Sequence, residues 1–90
     1  MKLERWVEVS NKYGLHARVA TELVKVSSQF ESSVTLCREG CDTEVDGKSI
    51  LALMTMGAEN GSRLLLRVRG DDAEPACTAI AELFGRSFDE

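Results

Sequence analysis

Along this chain the apolar residues keep switching between a spacing of two and a spacing of three or four, and that alternation leaves few architectures open. In Leu3 to Val9, Val7 and Val9 alternate with Glu8 and Ser10, the pattern of a half-buried strand, and Trp6 points to the opposite face from Val7. Asn11-Lys12-Tyr13-Gly14 is rich in turn formers and ends that strand. From Ala17 to about Phe30 the spacing becomes helical, with Val19, Ala20, Leu23, Val24, Ser27 and Phe30 on one stripe. Glu31-Ser32 breaks the stripe, and Val34 and Leu36 restart the alternation as a second strand. Glu39-Gly40 marks a tight turn, and Cys41 to Val45 returns as the third strand of a hairpin.

Past the turn at Asp46-Gly47-Lys48, Ser49 is placed to cap a short helix, Ile50 to Met56. That segment is apolar nearly all round, so one side of it faces either the core or a partner. Ile50, Leu51 and Met54 cluster on one side and are expected to face outward, with Leu53 and Met56 on another. Gly57 and Asn60-Gly61 lead to a fourth strand, where Leu64, Leu66 and Val68 alternate with Arg63, Arg67 and Arg69. Leu65, on the polar side, fits no part of this pattern. Asp71-Asp72-Ala73-Glu74 reads as the capped start of a last helix, with a capping box. Pro75 falls in its first turn, where the missing N–H costs nothing. Ala73, Ala76, Cys77, Ile80, Leu83 and Phe84 form its stripe, Gly85 stops it, and Phe88 is expected to fold back on its last turn.

The order β-α-β-β-α-β-α predicts one α+β domain over residues 1–90. A four-stranded antiparallel sheet carries three helices on one face and leaves the other to water, an open-faced sandwich. With 43% apolar residues, the chain can build a single modest core. A net charge of −4, with basic residues scattered singly, speaks against nucleic-acid binding. No apolar run approaches the about 18 residues of a membrane span, and Met1-Lys2-Leu3-Glu4-Arg5 has no apolar signal core, so a cytoplasmic location without membrane insertion is expected. Cys37, Cys41 and Cys77 are too few and too poorly spaced for a zinc site. They are expected to be reduced thiols, Cys77 in the core; a Cys37–Cys41 bridge across the hairpin is the less favoured alternative.

The candidate chemistry lies at Gly14-Leu15-His16-Ala17-Arg18, which holds the single histidine. The chain has 15 carboxylates, yet none falls between Val9 and Thr21, where Lys12, His16 and Arg18 do. A helix start carries unpaired N–H groups and a partial positive charge, which capping or acidic residues usually answer. An uncapped start with Arg18 beside it is an anion site. Free imidazole, with a pKa of about 6.5, is partly neutral at cell pH and can form covalent intermediates. A phosphoryl group on His16 would be held by the N–H groups of Ala17 and Arg18 and by the fork of the Arg18 guanidinium. With no nearby carboxylate to activate water, that arrangement suits a relay better than a hydrolase. The plainer reading, a surface histidine beside a glycine turn, stands against it on spacing alone.

The run Asn11-Lys12-Tyr13-Gly14-Leu15-His16-Ala17-Arg18 resembles the active-site segment of the HPr family, the histidine phosphocarriers of the phosphoenolpyruvate-dependent phosphotransferase system. Gly47-Lys48-Ser49-Ile50, the apolar short helix, Gly57 and the order of elements are also similar to that family. The ending, Ala81-Glu82-Leu83-Phe84 and Ser87-Phe88-Asp89-Glu90, looks closer to its nitrogen-related NPr branch. The resemblance implies the open-faced sandwich fold, a monomer and no cofactor. It also implies that His16 takes a phosphoryl group on Nδ1 from Enzyme I and gives it to an Enzyme IIA-type protein, with Arg18 as the active-site arginine. Ile50, Leu51 and Met54 would lie in the surface used by both partners. Ser49 matches a serine that a kinase phosphorylates in some branches; an ordinary helix cap is the simpler reading. The family's usual proline after the arginine is Val19 here, which restores an N–H at the helix start. The alternative function is a regulatory module that docks partners through the same helix without relaying phosphate.

Overall fold

The computed structural model describes residues 1–90. The elements are β1 (Lys2–Glu8), α1 (Ala17–Ser27), β2 (Ser33–Arg38), β3 (Glu44–Asp46), α2 (Ile50–Met56), β4 (Arg63–Arg69), α3 (Ala73–Gly85) and a closing 3-10 turn at Ser87–Asp89. One sheet has the order β1-β4-β2-β3, with every neighbouring pair antiparallel. The register sets Val7 beside Leu64, Leu3 beside Val68, and Leu66 beside Leu36, which in turn lies beside Val45. These side chains share one face of the pleat. Against it pack Val19, Ala20 and Leu23 of α1, Leu53 of α2, and Ala76, Ile80, Leu83 and Phe84 of α3, in one continuous core. The helices thus cover a single face, as the periodicity predicts. None is long and apolar enough to cross a membrane.

The other face is open. Leu65 finds its place there, between Trp6 on β1 and Cys37 on β2 in the register. Trp6 carries the Arg63 guanidinium 4.6 Å from its ring centre, a cation–π contact. The arginine row is answered by acids: Arg63 pairs with Glu39 at 2.8 Å, and Arg67 pairs with Glu4 at 2.6 Å and with Glu44. The hydrogen bond from Arg67 holds the Glu4 carboxyl below its ordinary value, and the same bond raises Arg67. Arg63 and Arg67 are thus paired with acids on a solvated face, while Arg69 makes no ion pair.

Several boundaries differ from the sequence reading, and β1 runs from Lys2 to Glu8 rather than from Leu3 to Val9. Helix α1 ends at Ser27 rather than about Phe30, because Gln29 and Phe30 turn back to bond the carbonyls of Val26 and Ser27. Strand β3 begins at Glu44 rather than Cys41, since the N–H of Cys41 closes a turn onto the Arg38 carbonyl. Helix α3 includes Gly85, and Phe88 then packs edge-on against Phe84 with ring centres 5.0 Å apart. At its start Asp72 makes no side-chain cap. Its carboxylate instead accepts from the N–H groups of Glu31 (2.9 Å) and Ser32 (3.0 Å) and from the Ser32 hydroxyl, tying the entry of β2 to α3. These bonds, the Ser32 hydroxyl foremost, hold the Asp72 carboxyl below its usual range. All three cysteines are free, and burial pushes the Cys77 thiol up.

Candidate functional site

The loop before α1 is fixed from both sides. Gly14 takes the left-handed conformation (φ +71°), which lets its carbonyl turn back to accept from the His16 N–H at 2.9 Å and from the buried Asn11 side-chain amide at 2.5 Å. Leu15 is buried, and its N–H donates to the Ala58 carbonyl just past α2. His16 is thereby set at the N-cap of α1 in extended backbone (φ −82°, ψ 177°), and its carbonyl accepts the first helical bond from Ala20. No side chain caps this end and no acidic residue lies in its first turn. The N–H groups of Ala17, Arg18 and Val19 have no partner in the protein. Val19, which stands where the resemblance implies a proline, is buried in the core.

The expectation that no carboxylate stands near His16 is overturned. Glu90, 74 residues further on, accepts from His16 Nε2 at 2.9 Å. The same oxygen pairs with Arg18, and the other accepts from Asn11 Nδ2 at 3.2 Å. The chain returns to this point because Ser87, Phe88 and Asp89 all have positive φ (52°, 55° and 62°) and Phe88 is anchored in the core. Distance along the sequence hid the contact. Asn11, inside the motif already noted, is the other contributor that spacing did not single out.

Lys12, Tyr13, His16, Arg18 and Glu90 line an open cleft of about 540 Å³. The His16 side chain keeps 32% of its exposure and Arg18 67%, whereas the Glu90 side chain keeps 13%. In a neutral ring, an Nε2–H given to the carboxylate leaves the lone pair on Nδ1, which has no partner in the protein. The site therefore has a nucleophilic nitrogen, a guanidinium and free backbone N–H groups, the parts needed to take up an anion and bond to it. No cluster of His, Cys, Asp and Glu stands close enough together to hold a metal.

On α2, Ile50, Leu51 and Met54 are exposed (39%, 77% and 43%), while Leu53 is fully buried. The outward group is the one the sequence indicates. Ser49 caps α2, accepting from the Ala52 N–H at 3.2 Å, at the end of the helix away from Ala58.

Comparison with known proteins adds the following. The family model described as the PTS HPr component phosphorylation site matches residues 3–86. Phosphocarrier protein HPr of Xylella fastidiosa is 41% identical over 88 residues, covering 98% of this chain and 97% of that protein. Phosphocarrier protein NPr of Shewanella violacea is 37% identical over 89 residues, covering 99% and 96%. The crystal structure of HPr-C-His from Thermoanaerobacter tengcongensis superposes with a TM-score of 0.91 at 35% identity, covering 98% of this chain and 97% of that one.

Proposed function

Since this chain belongs to the HPr family of the phosphotransferase system, a family of phosphocarriers, we propose that it accepts a phosphoryl group on His16 from Enzyme I and passes it to an Enzyme IIA-type protein. The observation that supports this most directly is the unpartnered Nδ1 of His16 beside the free N–H groups of Ala17 and Arg18. In the first transfer, the Nδ1 lone pair forms a bond to phosphorus as the donor's bond to phosphorus breaks, and the donor keeps that electron pair. In the second, His16 is the leaving group and recovers its lone pair. Negative charge on the phosphoryl oxygens is met by the Ala17 and Arg18 N–H groups and the Arg18 guanidinium. Nothing in either step calls for a cofactor.

Ile50, Leu51 and Met54 serve as the docking surface for both partners, and methionine suits a surface that must fit more than one. A phosphate on Ser49 would set negative charge beside that surface and weaken docking. The carrier works as a cytoplasmic monomer.

The test is incubation with Enzyme I and phosphoenolpyruvate, followed by phosphorus NMR. An acid-labile phosphohistidine signal is expected, and it is lost in His16→Ala. A label that persists in that variant would refute the assignment. The exposure of Leu51 also favours a second reading, a regulatory module that docks without relaying. That module would still bind its partners after His16→Ala.

A further inference from the structure

We propose that Asn60, in the loop between α2 and β4, is a positioning residue for phosphoryl transfer: acting through Asn11, its side-chain amide steadies the loop that presents His16 and so fixes the direction in which Nδ1 faces. The inference deepens the phosphocarrier reading above and rests on it. Asn60 Nδ2 donates to the Asn11 carbonyl at 3.1 Å, across 49 residues of chain. That carbonyl also accepts from the Gly14 N–H at 3.2 Å, so both of its lone pairs are in use. Asn11 then reaches forward with its own amide to the Gly14 carbonyl at 2.5 Å, which accepts in turn from the His16 N–H at 2.9 Å. An unbroken path of hydrogen bonds therefore runs from Asn60 to the backbone of His16.

The junction asks for an amide at Asn11. This residue is 3% exposed and its Oδ1 has no partner, a cost to the fold that an apolar side chain of the same size would avoid. The fold bears that cost at the point where Nδ2 meets the Gly14 carbonyl. Asn60, by contrast, is exposed and is not needed to join the two loops. Main-chain bonds already join them: the Val9 N–H to the Ser62 carbonyl at 2.8 Å, the Gly61 N–H to the Val9 carbonyl at 2.7 Å, and the Leu15 N–H to the Ala58 carbonyl. What the Asn60 amide adds is a hold on the Asn11–Gly14 turn between those fixed points.

Transfer is sensitive to that hold. The Nδ1 lone pair must lie in line with the phosphorus bond that breaks, while the Ala17 and Arg18 N–H groups meet the phosphoryl oxygens. A shift of about 1 Å in such an arrangement costs up to about a hundredfold in rate. Docking uses other side chains, those of Ile50, Leu51 and Met54, so a loosened loop slows the chemical step without weakening the encounter. Asn60 donates to Asn11 and makes no bond to His16, Arg18 or Glu90, so its replacement leaves the groups around the imidazole in place.

Single-turnover transfer from phosphorylated Enzyme I, followed over a range of full-length carrier concentrations, tests this in wild type and Asn60→Ala. The variant is expected to lower the maximal rate about three- to tenfold, the worth of one neutral hydrogen bond, and to leave the half-saturating concentration within about twofold. A maximal rate equal to wild type overturns the proposal, and it is what a purely structural role for Asn60 would give. A loss confined to half-saturation also overturns it and makes Asn60 a docking residue. In the carrier alone, hydrogen exchange at the Gly14 and His16 amides is expected to quicken about three- to tenfold in Asn60→Ala, while that of Leu66 in the central strand β4 is unchanged. Equal exchange at Gly14 and His16 counts against the proposal as well. Unlabelled wild-type protein would defeat the relay reading instead, and the exchange comparison would still decide whether Asn60 holds the loop.

Discussion

The backbone N–H of Leu15 donates to the carbonyl of Ala58 at 3.0 Å, joining the loop that presents His16 to the loop that follows α2. The crossing is close enough to dictate Gly14. A Cβ on that residue would overlap the Ala58 carbonyl oxygen and press on the Glu59 Cα at 3.0 Å, and its φ is already left-handed. Gly14→Ala is expected to cost about 1–2 kcal/mol from backbone conformation alone, and more from the overlap. Denaturant unfolding measures the loss, and phosphorylation of His16 should fall in the same variant. A midpoint equal to wild type would mean the two loops do not meet this way.

Arg18 is 67% exposed and contributes little to the core, so its replacement tests chemistry rather than folding. Arg18→Ala and Arg18→Lys are both expected to slow phosphoryl acceptance by about tenfold or more, the worth of a charge-assisted hydrogen bond. Lysine offers a point charge in place of the planar fork. Thermal unfolding should move by no more than about 0.5 kcal/mol in either. Full activity in the lysine variant would show that charge alone suffices.

Leu51 and Met54 stand exposed on the outward side of α2. Leu51→Asp places a carboxylate in the first turn of the helix, where the dipole tolerates it, and so leaves the fold intact. Binding to Enzyme I, followed by calorimetry, is expected to weaken by about tenfold or more in Leu51→Asp and in Met54→Asp, as at a binding hot spot. Unchanged affinity in both would move the docking surface elsewhere.

Asp72 gives the fold an acid-sensitive joint. Hydrogen bonds from Ser32 and Glu31 lower its folded-state pKa below the ordinary 3.8. Its stabilising contribution is therefore complete above that ordinary value and is lost as pH falls through the depressed one. Asp72→Asn should lower the melting temperature at pH 7, and the gap to wild type should close as pH drops below 3.8. A gap that widened with acid would contradict the sign.

How much of this could be read beforehand depends on the range of the interaction. The strands and helices follow from local periodicity, and so does the outward face of Ile50, Leu51 and Met54. The uncapped start at His16 is legible too, because it is a matter of which residues are missing within one turn. Asp72 shows where local reading stops: its position before α3 resembles a cap, but Ser32, 40 residues earlier, supplies better-placed donors and takes the carboxylate. Glu90 is the stronger case. Nothing near it in the chain distinguishes it from any acidic ending, and only the left-handed turn and the seat of Phe88 carry it to His16. The open-face row has the same cause, since Leu65 acquires Trp6 and Cys37 as neighbours through strand register.

The bare first turn of α1 links cargo to endurance. Three amide groups there have no hydrogen-bond partner within the protein. An anion that settles on them binds only the native chain, and what it gains in doing so is added to the work of unfolding. Heated side by side, molecules carrying phosphate would be the last to melt, and warmth alone would sort the laden from the idle.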